Sequence, residues 1–430
     1  MPSFDTSVPA VLVRLDRNPF HHGTLGAARS LGRAGIPVHA VLESLTSPAA
    51  RSRYVHGVRL RPATASPDAL ARLLQRLPDD EVPAPALLVP LDDVSALALA
   101  EHRAELTDRY LLPDQSAEQL VRVADKAALA ETCRALSLPH PRTELPGSAD
   151  EAAAMAWSLG LPVVAKWSRP WLLPAGTGLR STSIARSLSE VRELYARTPQ
   201  AGSRLLLQRL LPPGRDLDWF CHGYADSAGR CAVRATGRKE RSWPDGAGLT
   251  AVGRWAANPV VERMAGELLA ALGYRGVFDL DFRLDRATGA YHLLDFNPRP
   301  GAQFGLFTDR DGLDVVRALH LDLTGRPVPA HTPTYGRRFV VENYAALSVL
   351  ASPRRRCIAE PDGPRAGTET AWFAADDPAP ALAMARAWLV HALRKALVTI
   401  RRLLRSGRPR GGTTVSPPAA RTPSSQLNRR

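Results

Sequence analysis

The sequence predicts an open α/β domain followed by an α+β domain, with a basic amphipathic helix and a polar tail behind them. Three observations predict it. The chain opens with a β-α-β alternation. From Ala124 the pattern changes to helices and short strands parted by Gly- and Pro-containing loops, ending in two strands of alternating acids and apolar residues. Past Pro329 one apolar stretch gives way to Pro, Arg and Gly.

The opening reads as a strand over 11–15, a helix over 25–34 stopped by Gly35, and a strand over 38–42. A helix over 67–77, a buried strand over 86–89 and a helix after Asp92-Asp93 complete residues 1–115 as a Rossmann-like α/β domain. Ligands of such open sheets sit beyond the carboxyl ends of the strands. Arg14-Leu15-Asp16, Gly23-Thr24-Leu25-Gly26 and Pro90-Leu91-Asp92-Asp93 are therefore the candidate rim.

Residues 116–328 form the α+β domain. Asp125 caps a helix whose first turn holds Lys126 and which stops before Pro139 and Pro141. A helix over 149–159, a strand over 162–166, a Gly-containing loop over 174–180, a helix over 188–196 and a strand over 205–208 follow. Mostly antiparallel pairing is expected. Residues 329–380 are a C-terminal extension with one apolar stretch at 338–350. Over 381–406, Leu389, Leu393, Ala396, Ile400 and Leu403 fall on one helical stripe, with Arg394, Lys395, Arg401, Arg402 and Arg405 away from it. Residues 407–430 are too polar to offset chain entropy by burial, and disorder is expected there.

With 430 residues and 45% hydrophobic content the chain can bury a sizeable core, and two or three domains are expected. Met1–Leu15 lacks a basic start and a long apolar run, and nowhere do eighteen apolar residues follow one another, so a cytosolic location is expected. Cys133, Cys221, Cys231 and Cys357 show no zinc or disulfide spacing and read as reduced. A net charge of +14 is compatible with nucleic acid, anionic lipid or acidic small molecules. Much of the excess lies late in the chain, without aromatic interleaving or a nucleic-acid motif, so no sequence-specific nucleic-acid partner is expected. The helix at 381–410 either packs on the protein or lies on an anionic inner-membrane surface as a peripheral contact.

Of the 56 basic residues only four are lysines, and three of them, Lys126, Lys166 and Lys239, sit in segments that read as parts of a phosphate site. Arginine, a planar fork, does not replace a compact ammonium without moving its donors. The strongest constellation is the two-strand unit at 276–299. Side chains two apart share a strand face, so Asp279 and Asp281 point together, opposite Phe278, Leu280 and Phe282; Asp295 and Asn297 do likewise. A short turn at 286–289 would bring Asp281 and Asp295 to within roughly 5–8 Å of each other. Two carboxylates and an amide oxygen so close suit magnesium, which fills the rest of its octahedron with water and substrate phosphate. Arg299 beside them can fork onto phosphate oxygens.

Lys126 after an Asp at a helix start, V-V-A-K (163–166), L-L-L-Q-R-L-L-P-P-G-R-D (205–216), G-R-K-E-R-S-W-P (237–244) and L-L-D-F-N-P-R (293–299) occur in an order that resembles the ATP-grasp superfamily. The likeness is closest to its carboxylate–amine ligases of the D-aspartate ligase-like kind. It covers about residues 8–325, since 23–38 and S-R-Y (52–54) look like that group's preceding domain. The resemblance implies a pre-ATP-grasp domain followed by an ATP-grasp domain. It implies that Lys126 and Lys166 meet the α- and β-phosphates and that the loop 174–180, with Thr177 and Gly178, folds over the triphosphate. Gln208, Arg209, Leu210 and Leu211 would form the hinge at the adenine edge. Asp281, Asp295 and Asn297 would hold two magnesium ions, or manganese in their place. Lys239, Arg241 and Arg299 would steady the transferring phosphoryl group. Two positions depart from the family pattern: Arg209 stands where an acid is common, and Asp295 where Glu is common.

Two classes of function follow from this site, and the helix at 381–410 motivates a third, a membrane-surface or polyanion-binding protein. The first is an ATP-dependent carboxylate–amine ligase acting on small-molecule carboxylates and amines through an acyl phosphate, with release of ADP and phosphate. No covalent nucleophile is needed, and no Ser/His/Asp or Cys/His arrangement is recognisable. The second is a non-catalytic ATP-binding regulator, suggested by Arg209 alone. Assembly with further copies of the chain is compatible with either. The sequence reading expects Asp295→Ala to abolish most turnover and spare the fold.

Overall fold

The structure, a computed structural model, describes residues 2–64, 66–244, 248–352 and 366–406, with side chains described as far as residue 394. Residues 407–430, where disorder is expected, and Cys357 lie outside the described residues.

The first sheet holds β1 (Ala10–Val13), β2 (Val38–Leu42), β3 (Val55–Leu60), β4 (Ala86–Pro90) and β5 (Tyr110–Leu111), all parallel, in the order β3-β2-β1-β4-β5. β1, β2 and β4 are the apolar runs of the sequence; β3, an edge strand interrupted by Gly57 and Arg59, carries no such run. The strand order reverses between β1 and β4, the switch point at which open sheets bind ligands. The helix after β1 spans His22–Arg33 and begins earlier than its apolar periodicity suggests, because the His21 side chain accepts from the Thr24 N–H. Gly23–Gly26, expected in the rim, is therefore its first turn.

Four antiparallel strands form a small second sheet: β6 (Thr143–Glu144), β7 (Val163–Trp167), β8 (Thr182–Ala185) and β9 (Leu205–Arg209), in the order β6-β9-β7-β8. Seven strands form the third: β10 (Asp218–Ala225), β11 (Cys231–Trp243), β12 (Leu249–Trp255), β13 (Gly276–Asp285), β14 (Ala290–Asn297), β15 (Arg338–Val340) and β16 (Thr368–Thr370). Its order is β14-β13-β10-β11-β12-β15-β16, antiparallel except for the last pair. Alternation on β13 drives Phe278, Leu280 and Phe282 into a core with Phe296, Leu293 and Trp219, beneath the helix Pro259–Leu272. Each aromatic buried there is worth about 1.5–3 kcal/mol, enough to fix which face the acids occupy.

The extension is no appendage to this sheet. The stretch 338–350 divides into β15, paired with β12, and the helix Glu342–Ala351, and β16 adds to β15. Asp377, 1% exposed, accepts from Arg29 Nε at 2.9 Å, Ser52 Oγ at 2.7 Å and the Arg53 N–H at 2.9 Å. Asp376 takes Arg33 and the Tyr54 hydroxyl. Helix Ala379–Ser406 crosses from one compact unit, Met1–Met384, into a second, Ala385–Arg430. Among the described residues no helix is long and apolar enough to cross a membrane.

Candidate active site

β13 and β14 pair with Asp279 opposite Asn297 and Asp281 opposite Asp295, the register that their alternation predicts. A four-residue turn over 286–289 closes the hairpin, with Gly289 at φ +70°. All three sparse lysines converge on these acids. Lys126 Nζ lies 3.0 Å from Asp295 Oδ1, Lys166 Nζ 3.3 Å from Asp295 Oδ2 and 3.0 Å from the Leu294 carbonyl, and Lys239 Nζ 2.8 Å from Asp281 Oδ1. The partner that a buried Lys166 demands is thus intramolecular.

Local structure explains how each lysine arrives. Asp125, 3% exposed, caps the helix Lys126–Ala135 through the Ala127 and Ala128 N–H groups. The same carboxylate takes the Ser168 hydroxyl and Arg169 Nε, while the Lys126 N–H donates to the Ser168 carbonyl at 2.8 Å. The helix start is pinned to the end of β7, which carries Lys166. Replacing such a cap costs about 1 kcal/mol; here it would also unseat Lys126.

Arg241 does not join the cluster. Lys239 and Arg241 would share a face on a regular strand, but β11 bulges between them, opposing Gly253 and Val252 on β12 with Glu240 as the extra residue. Lys239 faces Asp281, Glu240 pairs with Arg254 and Arg338, and the Arg241 guanidinium donates to the Ser348 carbonyl and hydroxyl at 3.2 and 3.1 Å.

Arg299 spans 3.5 Å to Asp279 Oδ2 and 3.2 Å to Asp93 Oδ1. Asp93 belongs to the first domain. Its neighbour Asp92 caps the helix Asp93–Glu101 and also accepts from the Leu15 and Asp16 N–H groups, each at 2.7 Å, so one carboxylate bridges the ends of β1 and β4. Sequence placed Asp93 at the rim without assigning it to the phosphate face; its position at a strand end was the only signal. Arg14, another rim residue, is 2% exposed and committed to Glu43 and the Asn18 carbonyl.

The remaining expected residues make contacts of their own. Gln208 donates to Thr143 Oγ at 3.0 Å; Arg209 Nη2 is 2.6 Å from Asp285 Oδ2; the Leu211 carbonyl accepts from Arg283 at 3.1 Å. Arg209 and Leu211, flanking Leu210, thus fasten the exit of β9 to β13. In the loop 174–180, Thr177 closes a turn on the Pro174 carbonyl, its own carbonyl accepts from Arg197, and Gly176 and Gly178 take the left-handed φ values +82° and +72° that favour glycine.

Burial alone would raise the Asp295 carboxyl, but the ammonium charges of Lys126 and Lys166 outweigh it and hold the group well below the usual carboxylate range. Burial lowers Lys166, with Asp295 opposing and Lys126 adding to the shift. Lys126 and Lys239 are raised: their acids, Asp295 with Asp93 and Asp281 with Asp218, overcome burial. Asp281 is raised by burial, with Lys239 opposing and Asp279 reinforcing. Five charges in so small a volume cannot all be indifferent to an arriving polyanion.

Among the described residues no group of three or more His, Cys, Asp or Glu side chains could hold a metal ion. The set here is two carboxylates with an amide oxygen, Asp281, Asp295 and Asn297. Those hard oxygens fit magnesium, which binds through one or two carboxylates and completes its shell with water and phosphate.

The fold is that of the ATP-grasp enzymes. It is similar to N5-carboxyaminoimidazole ribonucleotide synthetase from Thermus thermophilus, with a TM-score of 0.55, 16% identity, and coverage of 75% of this chain and 80% of that one. The Aspergillus clavatus carboxyaminoimidazole ribonucleotide synthase, complexed with ATP, gives 0.56 and 14% over 78% and 81%. The biotin carboxylase domain of Hydrogenobacter thermophilus 2-oxoglutarate carboxylase, in complex with MgADP, gives 0.55 and 17% over 75% and 71%. In sequence the chain is similar to a D-aspartate ligase of Enterococcus faecium, 21% identical over 240 residues. That match covers 54% of this chain and 57% of the ligase, so the chain spans little more than half of that relative. No family model matches the chain.

Proposed function

We propose that this chain is an ATP-dependent carboxylate–amine ligase that forms an amide or peptide bond and releases ADP and phosphate. The observation that carries it is the convergence of Lys126, Lys166 and Lys239 on Asp281 and Asp295 across one strand pair. In this reading a substrate carboxylate oxygen attacks the γ-phosphorus as its bond to ADP breaks. The amine then adds to the carbonyl carbon of the acyl phosphate, phosphate departs, and the amine loses a proton. Lys126 and Lys166 bind the phosphates; Lys239 and Arg299 stabilise charge on the transferring group. Asp281, Asp295 and Asn297 would hold one or two magnesium ions, or manganese, which supply charge neutralisation between the phosphates. The hinge Gln208–Leu211 and the loop bearing Thr177 and Gly178 would enclose the nucleotide. Arg241, turned onto Ser348, is left with a structural part.

The test is a coupled ADP-release screen over carboxylate and amine pairs with magnesium present. A pair that releases ADP with matched amide formation is expected. Tight ATP binding with no ADP release across the panel would favour the non-catalytic regulator instead. Arg209, which motivated that alternative, is neutralised by Asp285.

A peripheral position on an anionic membrane surface is a second proposal, in keeping with the cytoplasmic location that the sequence suggests. Leu389, Val390 and Leu393 are 58%, 41% and 57% exposed, and helix Ala379–Ser406 carries six basic residues and no acid. Co-sedimentation with phosphatidylserine vesicles should be lost on deleting 385–430; equal sedimentation before and after would dismiss it.

A further inference from the structure

Asp279 shares the strand face of Asp281, but its carboxylate meets nitrogens rather than the proposed cation set. It lies opposite Asn297 in the β13–β14 register and is 5% exposed. Its polar side-chain partners are nitrogens: His222 Nε2 is 2.8 Å from Oδ1, and Asn297 Nδ2 and Arg299 Nη1 are 3.3 and 3.5 Å from Oδ2. Asn297 Nδ2 also reaches the Asp279 carbonyl at 3.3 Å. A carboxylate and a carbonyl only accept, so the atom of Asn297 that faces them must be its NH2 group, and its Oδ1 must turn the other way. An amide oxygen aimed outward is what a hard cation requires.

The Asp279–His222 pair is closely packed. His222, 1% exposed, sits between the Phe220 and Phe307 rings, centroids 5.3 and 5.1 Å away. A β-carbon on Gly301 would stand 2.3 Å from His222 Cε1 and 2.7 Å from Asp279 Oδ2, so glycine is required there for close approach. With nitrogens facing both oxygens and the chain folded over it, Asp279 has little room to ligate.

We infer that Asp279, braced by His222, is a positioning residue for the ligase site: it orients Asn297 to offer its oxygen to the cation and holds the Arg299 guanidinium in place. The inference rests on reading Asp281, Asp295 and Asn297 as the cation face. In Asp279→Asn a second amide meets the first, donor can face donor, and Asn297 loses its fixed orientation. Partners of this kind typically change metal affinity 10–100-fold, on the order of the effect expected here.

The experiment is Mn2+ uptake by the full chain in the presence of ATP, followed by loss of the free-ion electron paramagnetic resonance signal. ATP affinity without metal is measured alongside. Asp279→Asn is expected to weaken Mn2+ binding about 10–100-fold while metal-free ATP affinity stays unchanged. His222→Gln, which can set a nitrogen close to that of the imidazole, is expected to retain binding, and His222→Leu to lose it like Asp279→Asn. Wild-type Mn2+ affinity in Asp279→Asn overturns the inference. Should that variant fail to fold, equal affinities in His222→Gln and His222→Leu overturn it. A wild-type chain that binds ATP but takes up no Mn2+ sinks the cation face itself, a distinct failure.

Discussion

Arg299, at the end of the hairpin that carries the acids, lies 3.2 Å from Asp93, which opens a helix of the parallel-sheet domain. One guanidinium therefore joins the phosphate face to the rim of the other sheet. Burial would lower Arg299, but Asp93 and then Asp279 outweigh it and raise the group above its ordinary value. Asp93→Asn should leave the fold intact and lower the ADP-release rate about tenfold, through loss of a partly buried ion pair. Steady-state kinetics checks it; an unchanged rate would detach Asp93 from the site.

Asp295 is the sole carboxylate between two ammonium groups. The sequence reading expects Asp295→Ala to spare the fold. The structure revises that: removal leaves Lys126 and Lys166, 11% and 8% exposed, without the carboxylate they share. A loss of about 1–3 kcal/mol is expected, below the 3–5 of a fully buried pair because Asp295 is 29% exposed. Urea unfolding of Asp295→Ala measures it, and the double variant with Lys166→Met should recover part of the loss.

His22, 6% exposed among Phe339, Tyr344 and Trp372, is lowered by burial to about 4. The unfolded chain takes up this proton near pH 6.5, and the folded chain does not until about pH 4. The unfolded state binds more protons in that window, so stability falls as pH falls through it. Between pH 7 and pH 5 the loss from this group should be about 2 kcal/mol. His22→Phe should show a correspondingly smaller drop in urea unfolding at the two pH values.

Arg29 and Asp377 are 5% and 1% exposed and tie the first helix to the extension. Breaking such a pair from one side costs about 3–5 kcal/mol. Arg29→Ala should lower the unfolding midpoint accordingly. A chain cut after residue 328 should fail to fold, whereas one cut after residue 384 should melt as the intact protein does.

The acids, their register and the lysines at helix start and strand end were legible because each follows from local rules: period-two alternation, a capping aspartate, a scarce residue type. Arg241 was misread for a physical reason. In R-K-E-R every position is polar, so alternation carries no information about which residue bulges, and only pairing with β12 decides it. The Asp93–Arg299 and Arg29–Asp377 pairs join residues hundreds of positions apart, beyond any window of sequence. β10 and β12 escaped notice because Gly223 and Gly253 interrupt their apolar runs; a β-carbon on Gly223 would stand 2.3 Å from the Phe278 ring.

The gathering of Lys126, Lys166 and Lys239 around two aspartates makes the molecule its own reporter. The sequence holds four lysines, these three and Lys395. An acylating reagent that ordinarily decorates a protein at random would here find three of its four lysine targets in one locus. Protection of those peptides, read by mass spectrometry, would map what enters.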